Sequence, residues 1–271
     1  MLRSLWTAAT GMIAQQTNVD TIANNLSNVN TTGYKAEVAE FKTLLYQNMQ
    51  TKTTSANGEN KPIGAQVGLG VRNSSITSIF RQGSLLESSS TSAFAINGKG
   101  FFAVQGDDGQ TYYTRNGNFN WSLGTDGLTL TTSDGLPVLD STGKPIVLSG
   151  DYMSSSITIT SDGTICYPDA SNNAQSLGIT IGLYQFQNPA GLTKLDSSLF
   201  EVSDASGAAL NESTTANIQK SSVVQGYLEG SNVQVADEMV NLIVAQRAYE
   251  MNSKAITASD EMLQQANNLR R

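Results

Sequence analysis

The chain has 271 residues, room for one large domain or two to three smaller ones. Charged residues make up only 14% of it, Ser, Thr and Asn fill 81 positions, and a net charge of −7 with 16 unclustered basic residues argues against nucleic acid as a partner. Histidine is absent and Cys166 is the single cysteine, which excludes imidazole-based triads, zinc hydrolases, intrachain disulfides and thiolate metal cages, so neither cofactor nor metal is expected.

At the amino terminus the apolar residues between Leu2 and Ala14 are interrupted by Ser4, Thr7, Thr10 and Gly11. That is not the continuous block and cleavage site of a secretory signal, so export without a cleaved leader is expected if the chain leaves the cytoplasm. No stretch approaches the roughly 20 apolar residues of a membrane span, so no membrane insertion is expected. From Leu5 onward, apolar or small residues recur with a 3-4 alternation at Leu5, Ala8, Met12, Val19, Ile22, Leu26 and Val29, broken only by Gln15. This heptad seam predicts an amphipathic helix of about 25 residues, roughly 38 Å long. Thr31-Thr32-Gly33 ends it, with Gly33 suited to the left-handed closing conformation. The helix is dense in asparagine, a mediocre helix former: Asn18, Asn24, Asn25 and Asn28, with Asn30 at its end. Asn24 and Asn28 share a face, where they could bridge helices of neighbouring subunits or simply be solvated; local physics weighs the two equally.

The stretch Tyr46 to Gly70 is polar, glycine-containing and non-periodic, and reads as an extended connector. Beyond it, Asn-Gly or Asp-Gly pairs at Asn97-Gly98, Asp108-Gly109, Asn116-Gly117, Asp126-Gly127, Asp134-Gly135 and Asp162-Gly163, like Asn57-Gly58 before them, supply the positive φ angles of tight hairpins. Between and after them lie short β-prone runs at Phe101–Gln105, Thr111–Thr114, Leu128–Thr132, Ile146–Leu148, Ile157–Thr160, Ile179–Phe186 and Leu199–Val202, the spacing of an antiparallel sheet curling into a barrel or sandwich. Asp107, Asp108, Asp126, Asp134 and Asp162 sit in or beside the glycine turns, where Asp is favoured for backbone reasons, and read as turn residues rather than acid/base pairs. Cys166 reads as a small, half-buried strand residue.

A second heptad runs through Val235, Leu242, Tyr249, Ile256 and Leu263, and its companion seam position is small or polar at Ala245, Asn252, Ser259 and Ala266. A self-contained dimer favours Leu or Ile there, so this helix is expected to lie against several neighbours at close approach. Ser231 or Asn232 is a candidate N-cap, and Arg270 and Arg271 suit the helix's negative end. The expected fold class is α+β. Residues 1–34 and 229–271 pair as a coiled-coil-like inner helical domain, 35–75 form an extended connector or β segment, and 76–228 form an inserted, mainly antiparallel β domain.

The run Asn24-Asn25-Leu26-Ser27-Asn28-Val29-Asn30-Thr31-Thr32-Gly33-Tyr34-Lys35 resembles the signature of the bacterial flagellar rod and hook proteins. The opening Met1 to Met12, the run Ala95 to Phe102, Asn188-Pro189-Ala190-Gly191-Leu192, Gln225 to Glu229, and Ser231 to Ala255 are similar to that family, and to its distal rod branch in particular. The resemblance implies a non-enzymatic structural subunit that self-assembles on a helical lattice into a hollow drive shaft within the basal body, outside the cytoplasmic membrane. It implies proximal rod proteins and the hook protein at the two ends, the flagellar export apparatus as the exit route, and ring bushing proteins where the cell has an outer membrane. Assembly residues are then expected on the helices, at Leu5, Met12, Val19, Ile22, Asn24, Leu26, Asn28, Val29, Val235, Leu242, Tyr249, Ile256 and Leu263, with Asn30, Thr32, Gly33, Tyr34 and Lys35 as the family's turn. Two alternatives stand beside this reading: a proximal rod paralogue, and a secreted β-rich hydrolase or glycan-binding module whose helices serve as a stalk.

Overall fold

The computed structural model describes residues 2–50, 65–124, 127–149, 152–169, 173–196, 198–216 and 218–268. Asn57-Gly58, Asp126, Arg270 and Arg271 lie outside the described residues. Helix α1 (Leu2–Ser27) and helix α2 (Val235–Asn268) flank a β-rich middle, an α+β chain. The chain divides into two compact units, Met1–Ser27 with Glu37–Ser78 and Gln234–Arg271, and Asn28–Ala36 with Ile79–Val233.

In the helical unit α1 and α2 run antiparallel. Asn25 Nδ2 lies 3.4 Å from Glu238 Oε1, Ser4 Oγ lies 3.3 Å from Ser259 Oγ, and between them a Cβ on Gly11 would come within 2.9 Å of Asn252 Nδ2. From residue 25 to 11 to 4 the steps are 14 and 7, and from 238 to 252 to 259 they are again 14 and 7. Two helices keep such a register only if the same stripe of each faces the other throughout. The residues in that stripe are small or polar. Ala245 and Ser259 are the buried residues of α2, and the buried residues of α1 are Ala8, Ala14, Thr21, Ile22 and Asn25. The buried face of α1 is therefore turned by roughly 100°, one residue step, from the line of Leu5, Met12, Val19 and Leu26.

The same unit carries a β ribbon. Glu37–Thr43 pairs antiparallel with Val71–Ser78, and Tyr46–Gln50 pairs with Ala65–Gly68. The stretch read from sequence as a connector is thus strand-paired at both of its described ends. Its first strand shows no apolar alternation because no face of it is buried: Tyr46, Gln47, Asn48 and Met49 are all exposed.

The β unit is built on a six-stranded antiparallel sheet in the order Thr193–Lys194, Leu199–Glu201, Thr111–Thr114, Phe101–Gln105, Leu183–Gln185, Leu210–Asn211. Phe101–Gln105 sits in its interior and is covered on both sides. Phe102 and Val104 join a core with Phe94, Ile96, Phe119, Leu130 and Ile165, while Phe101 and Ala103 join a second core with Tyr113, Leu139, Leu192 and Phe200. Alternate residues of a strand point to opposite faces, so a strand is apolar wherever both faces are buried, as this one is from Phe101 to Val104. The predicted run Ile179–Phe186 is divided. Ala174–Thr180 and Leu183–Gln185 belong to different sheets, and the chain passes between them at Gly182, where a Cβ would lie 2.5 Å from the Asp140 carbonyl oxygen. Cys166 is buried in the strand Thr164–Pro168.

Candidate functional site

The chain's buried charges gather in the β unit, around the turn that follows α1. Glu229 ends the strand Tyr227–Glu229, which pairs with Leu85–Glu87, and it is 1% exposed. Its Oε1 accepts from Lys35 Nζ at 2.5 Å and from the Gly83 backbone N–H at 3.0 Å, and its Oε2 accepts from Arg115 Nη1 at 3.1 Å. Lys35 Nζ also donates to the Arg81 carbonyl, and Arg115 Nη2 to the Gly98 carbonyl, while the guanidinium lies 5.1 Å from the centre of the Phe101 ring. Burial holds the Lys35 amine and the Arg115 guanidinium below their ordinary pKa values, and the Glu229 charge pulls each the other way. A second buried carboxylate, Glu212, adds its attraction for Arg115 and is itself held by Ser221 N–H at 2.6 Å, Ser221 Oγ and Gln185 Nε2. Charges taken out of water persist only when paired and hydrogen-bonded to this extent.

The turn is shaped to deliver Lys35 there. Gly33 has φ +72°, its N–H donates to the Glu229 carbonyl at 2.8 Å, and a Cβ on it would fall 2.6 Å from the Asn116 nitrogen. No other residue type fits both the backbone angle and the space. Thr32 Oγ1 donates to Asn116 Oδ1 at 2.8 Å, and Asn28 Oδ1 accepts from Thr31 Oγ1 at 3.1 Å. Tyr34 is half-buried and Asn30 exposed. Thr32, Gly33 and Lys35 are thus drawn together, and what they meet, Glu229 and Arg115, is what sequence reasoning passed over. Asn232 departs from the expected capping role: α2 begins three residues later, and the Asn232 side chain serves Ala36 N–H and the carbonyls of Ile79 and Arg81.

In the helical unit Ile22 is buried, while Leu5, Met12, Val19, Leu26, Leu242, Ile256 and Leu263 are half-buried. Val235 and Tyr249 are exposed, as is Asn24, whose amide lies 3.4 Å from Glu37 Oε2. In the other unit Asn28 and Val29 are half-buried. The buried asparagine is Asn25, 1% exposed, whose Oδ1 accepts from Glu37 N–H and whose Nδ2 donates to the Glu37 carbonyl, both at 2.8 Å. Its signal was its place on the Ile22 face, three residues on, where a polar side chain persists only with partners. Asn25→Ala leaves both Glu37 backbone groups without their partner, and is expected to lower stability by about 1–3 kcal/mol in urea unfolding and to speed exchange of the Glu37 amide.

Among the described residues, sixteen of the 24 exposed large hydrophobic side chains belong to the helical unit, the smaller of the two. Met239, Val240 and Ile243 lie on the far side of α2 from Ala245, Asn252 and Ser259. The first turns of α2 thus carry large apolar side chains on the side away from α1, and further along that side holds Arg247, Glu250, Lys254 and Glu261. Among the described residues, no group of three or more His, Cys, Asp or Glu could hold a metal ion, and no helix is long and apolar enough to cross a membrane. The turn aspartate Asp108 accepts from Gln110 N–H at 3.0 Å and Tyr112 Oη at 2.7 Å, which together hold its carboxyl below the usual range.

Three family models match the chain: flagella basal body rod protein at residues 5–35, flagellar hook protein FlgE/F/G D1 domain at 95–167, and flagellar basal body rod FlgEFG protein C-terminal at 224–269. The buried ionic cluster takes one member from each matched segment, Lys35, Arg115 and Glu229. Among curated relatives, the flagellar basal-body rod protein FlgG of Borreliella burgdorferi is 45% identical, with 100% of both chains covered. Its namesake from Agrobacterium fabrum is 44% identical over 96% of this chain and 97% of the relative, and that from Buchnera aphidicola of Acyrthosiphon pisum is 40% identical over 99% and 100%.

Proposed function

Because the chain belongs to the bacterial flagellar basal-body rod protein family, we propose that it is a structural subunit of the distal rod, repeated on a helical lattice as a rigid, hollow shaft that carries torque from motor to hook. The observation that carries this reading is the concentration of exposed apolar side chains on the helical unit, above all on the first turns of α2, at Val235, Met239, Val240, Ile243 and Val244. A stable monomer does not leave such a surface wet, and a contact between two different faces of identical subunits propagates as a filament when its rotation does not close. The heptad-spaced, antiparallel contacts of α1 and α2 support a coiled-coil-like inner domain drawn from residues 1–34 and 229–271, with 76–228 as the outer β domain and 35–75 between them.

In this reading proximal rod proteins and the hook protein bind the two ends, and ring bushing proteins surround the rod where an outer membrane exists. The subunit reaches its place outside the cytoplasmic membrane through the flagellar export apparatus. It performs no catalysis. The hydrolase or glycan-binding alternative finds no support in the matches, each of which is to a flagellar protein. The proximal paralogue is separated by placing a label on the subunit in purified basal bodies. The label is expected directly beneath the hook; a label confined to the base of the rod overturns the distal assignment.

A further inference from the structure

The chain crosses between its two units four times, after Ser27, Ala36, Ser78 and Val233. The second and third crossings are laddered together, Glu37 standing opposite Ser78, whereas the last is a single strand with two soft dihedral angles per residue. Asn232 stands just before the last of them. Its Oδ1 accepts from the Ala36 N–H at 2.7 Å, and its Nδ2 donates to the carbonyls of Ile79 at 2.8 Å and Arg81 at 3.1 Å. Ala36 is the final residue before the second crossing, and Ile79 the first after the third. These two are also joined directly, Ile79 N–H donating to the Ala36 carbonyl at 2.8 Å. One side chain therefore binds together the β-unit ends of three crossings, using its acceptor and both of its donor hydrogens. Only a primary amide offers that set at that reach: Asp lacks the donors, and Ser has one hydrogen instead of two.

We propose that Asn232 is a positioning residue, a staple that fastens the segment leading into the last crossing to the paired chain ends at Ala36 and Ile79, so that within the β unit the starting points of three crossings are held as one root. The staple is a property of the folded chain itself; its use in carrying torque rests on the rod reading.

The full-length chain, kept monomeric, tests the staple. In Asn232→Ala the Ala36 amide is expected to exchange about tenfold faster, and proteolysis near residues 36, 79 and 233 to accelerate, while the Phe102 and Val104 amides keep their rates. Asn232→Asp retains the acceptor but not the donors, so Ala36 is expected to stay protected while cleavage near residue 79 still rises. Unchanged Ala36 exchange in Asn232→Ala overturns the staple, and so does a parallel rise at Phe102 and Val104, which would make Asn232 an ordinary part of the β core. In cells, Asn232→Ala rods are expected to form but to fail under load, with swimming in viscous medium reduced more than rod number. Rods that never form, or that drive swimming as well as the parent's, overturn the torque role. Absence of the parent chain from rods overturns the rod reading alone and leaves the staple standing.

Discussion

Glu229→Gln is expected to destabilise the β unit by about 3–5 kcal/mol, the largest loss foreseen for any single substitution in this chain. The variant keeps the shape of the side chain and removes its charge, leaving Lys35 and Arg115, both nearly inaccessible, facing each other across a neutral amide. Among the described residues neither cation has another carboxylate in salt-bridge contact, and the Glu212 charge that acts on Arg115 is already engaged by Ser221 and Gln185. Urea unfolding of the parent, Glu229→Gln, Lys35→Met and the double variant measures the coupling. Lys35→Met alone should cost less, because the Arg115–Glu229 pair survives it. The double variant should be more stable than the sum of the two predicts, by roughly 0.5–3 kcal/mol, since removing one cation relieves the other. A loss below about 1 kcal/mol for Glu229→Gln would mean that the turn is held by its backbone contacts, with the ions as bystanders.

Legibility from sequence followed the range of the interaction. Phe101–Gln105 was readable because a strand buried on both faces is written as a continuous apolar run, here Phe101 to Val104, and Gly33 because its left-handed backbone is a local demand. The ionic cluster was not readable, since Lys35 and Arg115 reach Glu229 across 194 and 114 residues and no local pattern states which charge finds which. The heptads gave the existence of both helices and the length of the first. On α2 the close approach runs along the small or polar companion line read from sequence, Ala245, Asn252 and Ser259, while on α1 it runs along Ser4, Gly11 and Asn25, beside the line of large residues that periodicity marks. Short side chains contribute little to a hydrophobic pattern and most to how near two helices can come. Asn232 looked like a cap because its local sequence suits one, and tertiary partners claimed its amide instead.

The two faces of α2 should answer differently to substitution. Ile243 is 55% exposed on the side away from α1, so Ile243→Asp is expected to change the stability of the monomer by no more than about 0.5 kcal/mol. In an assembly that buries this side chain, the same change places a charge in an apolar contact. A loss of about 2–4 kcal/mol per contact is the scale for removing a central interface residue, which raises the concentration needed for polymerisation by roughly 30- to 1000-fold. Asn252→Leu acts on the opposite face. It forces a larger branched side chain against Gly11, where even a methyl group would press on the present amide, and should cost the monomer about 1–3 kcal/mol. Sedimentation of polymer paired with urea unfolding of monomer separates the two: Ile243→Asp stable but unassembled, Asn252→Leu weakened before assembly begins. If Ile243→Asp polymerises like the parent, the outer side of α2 is not the contact surface.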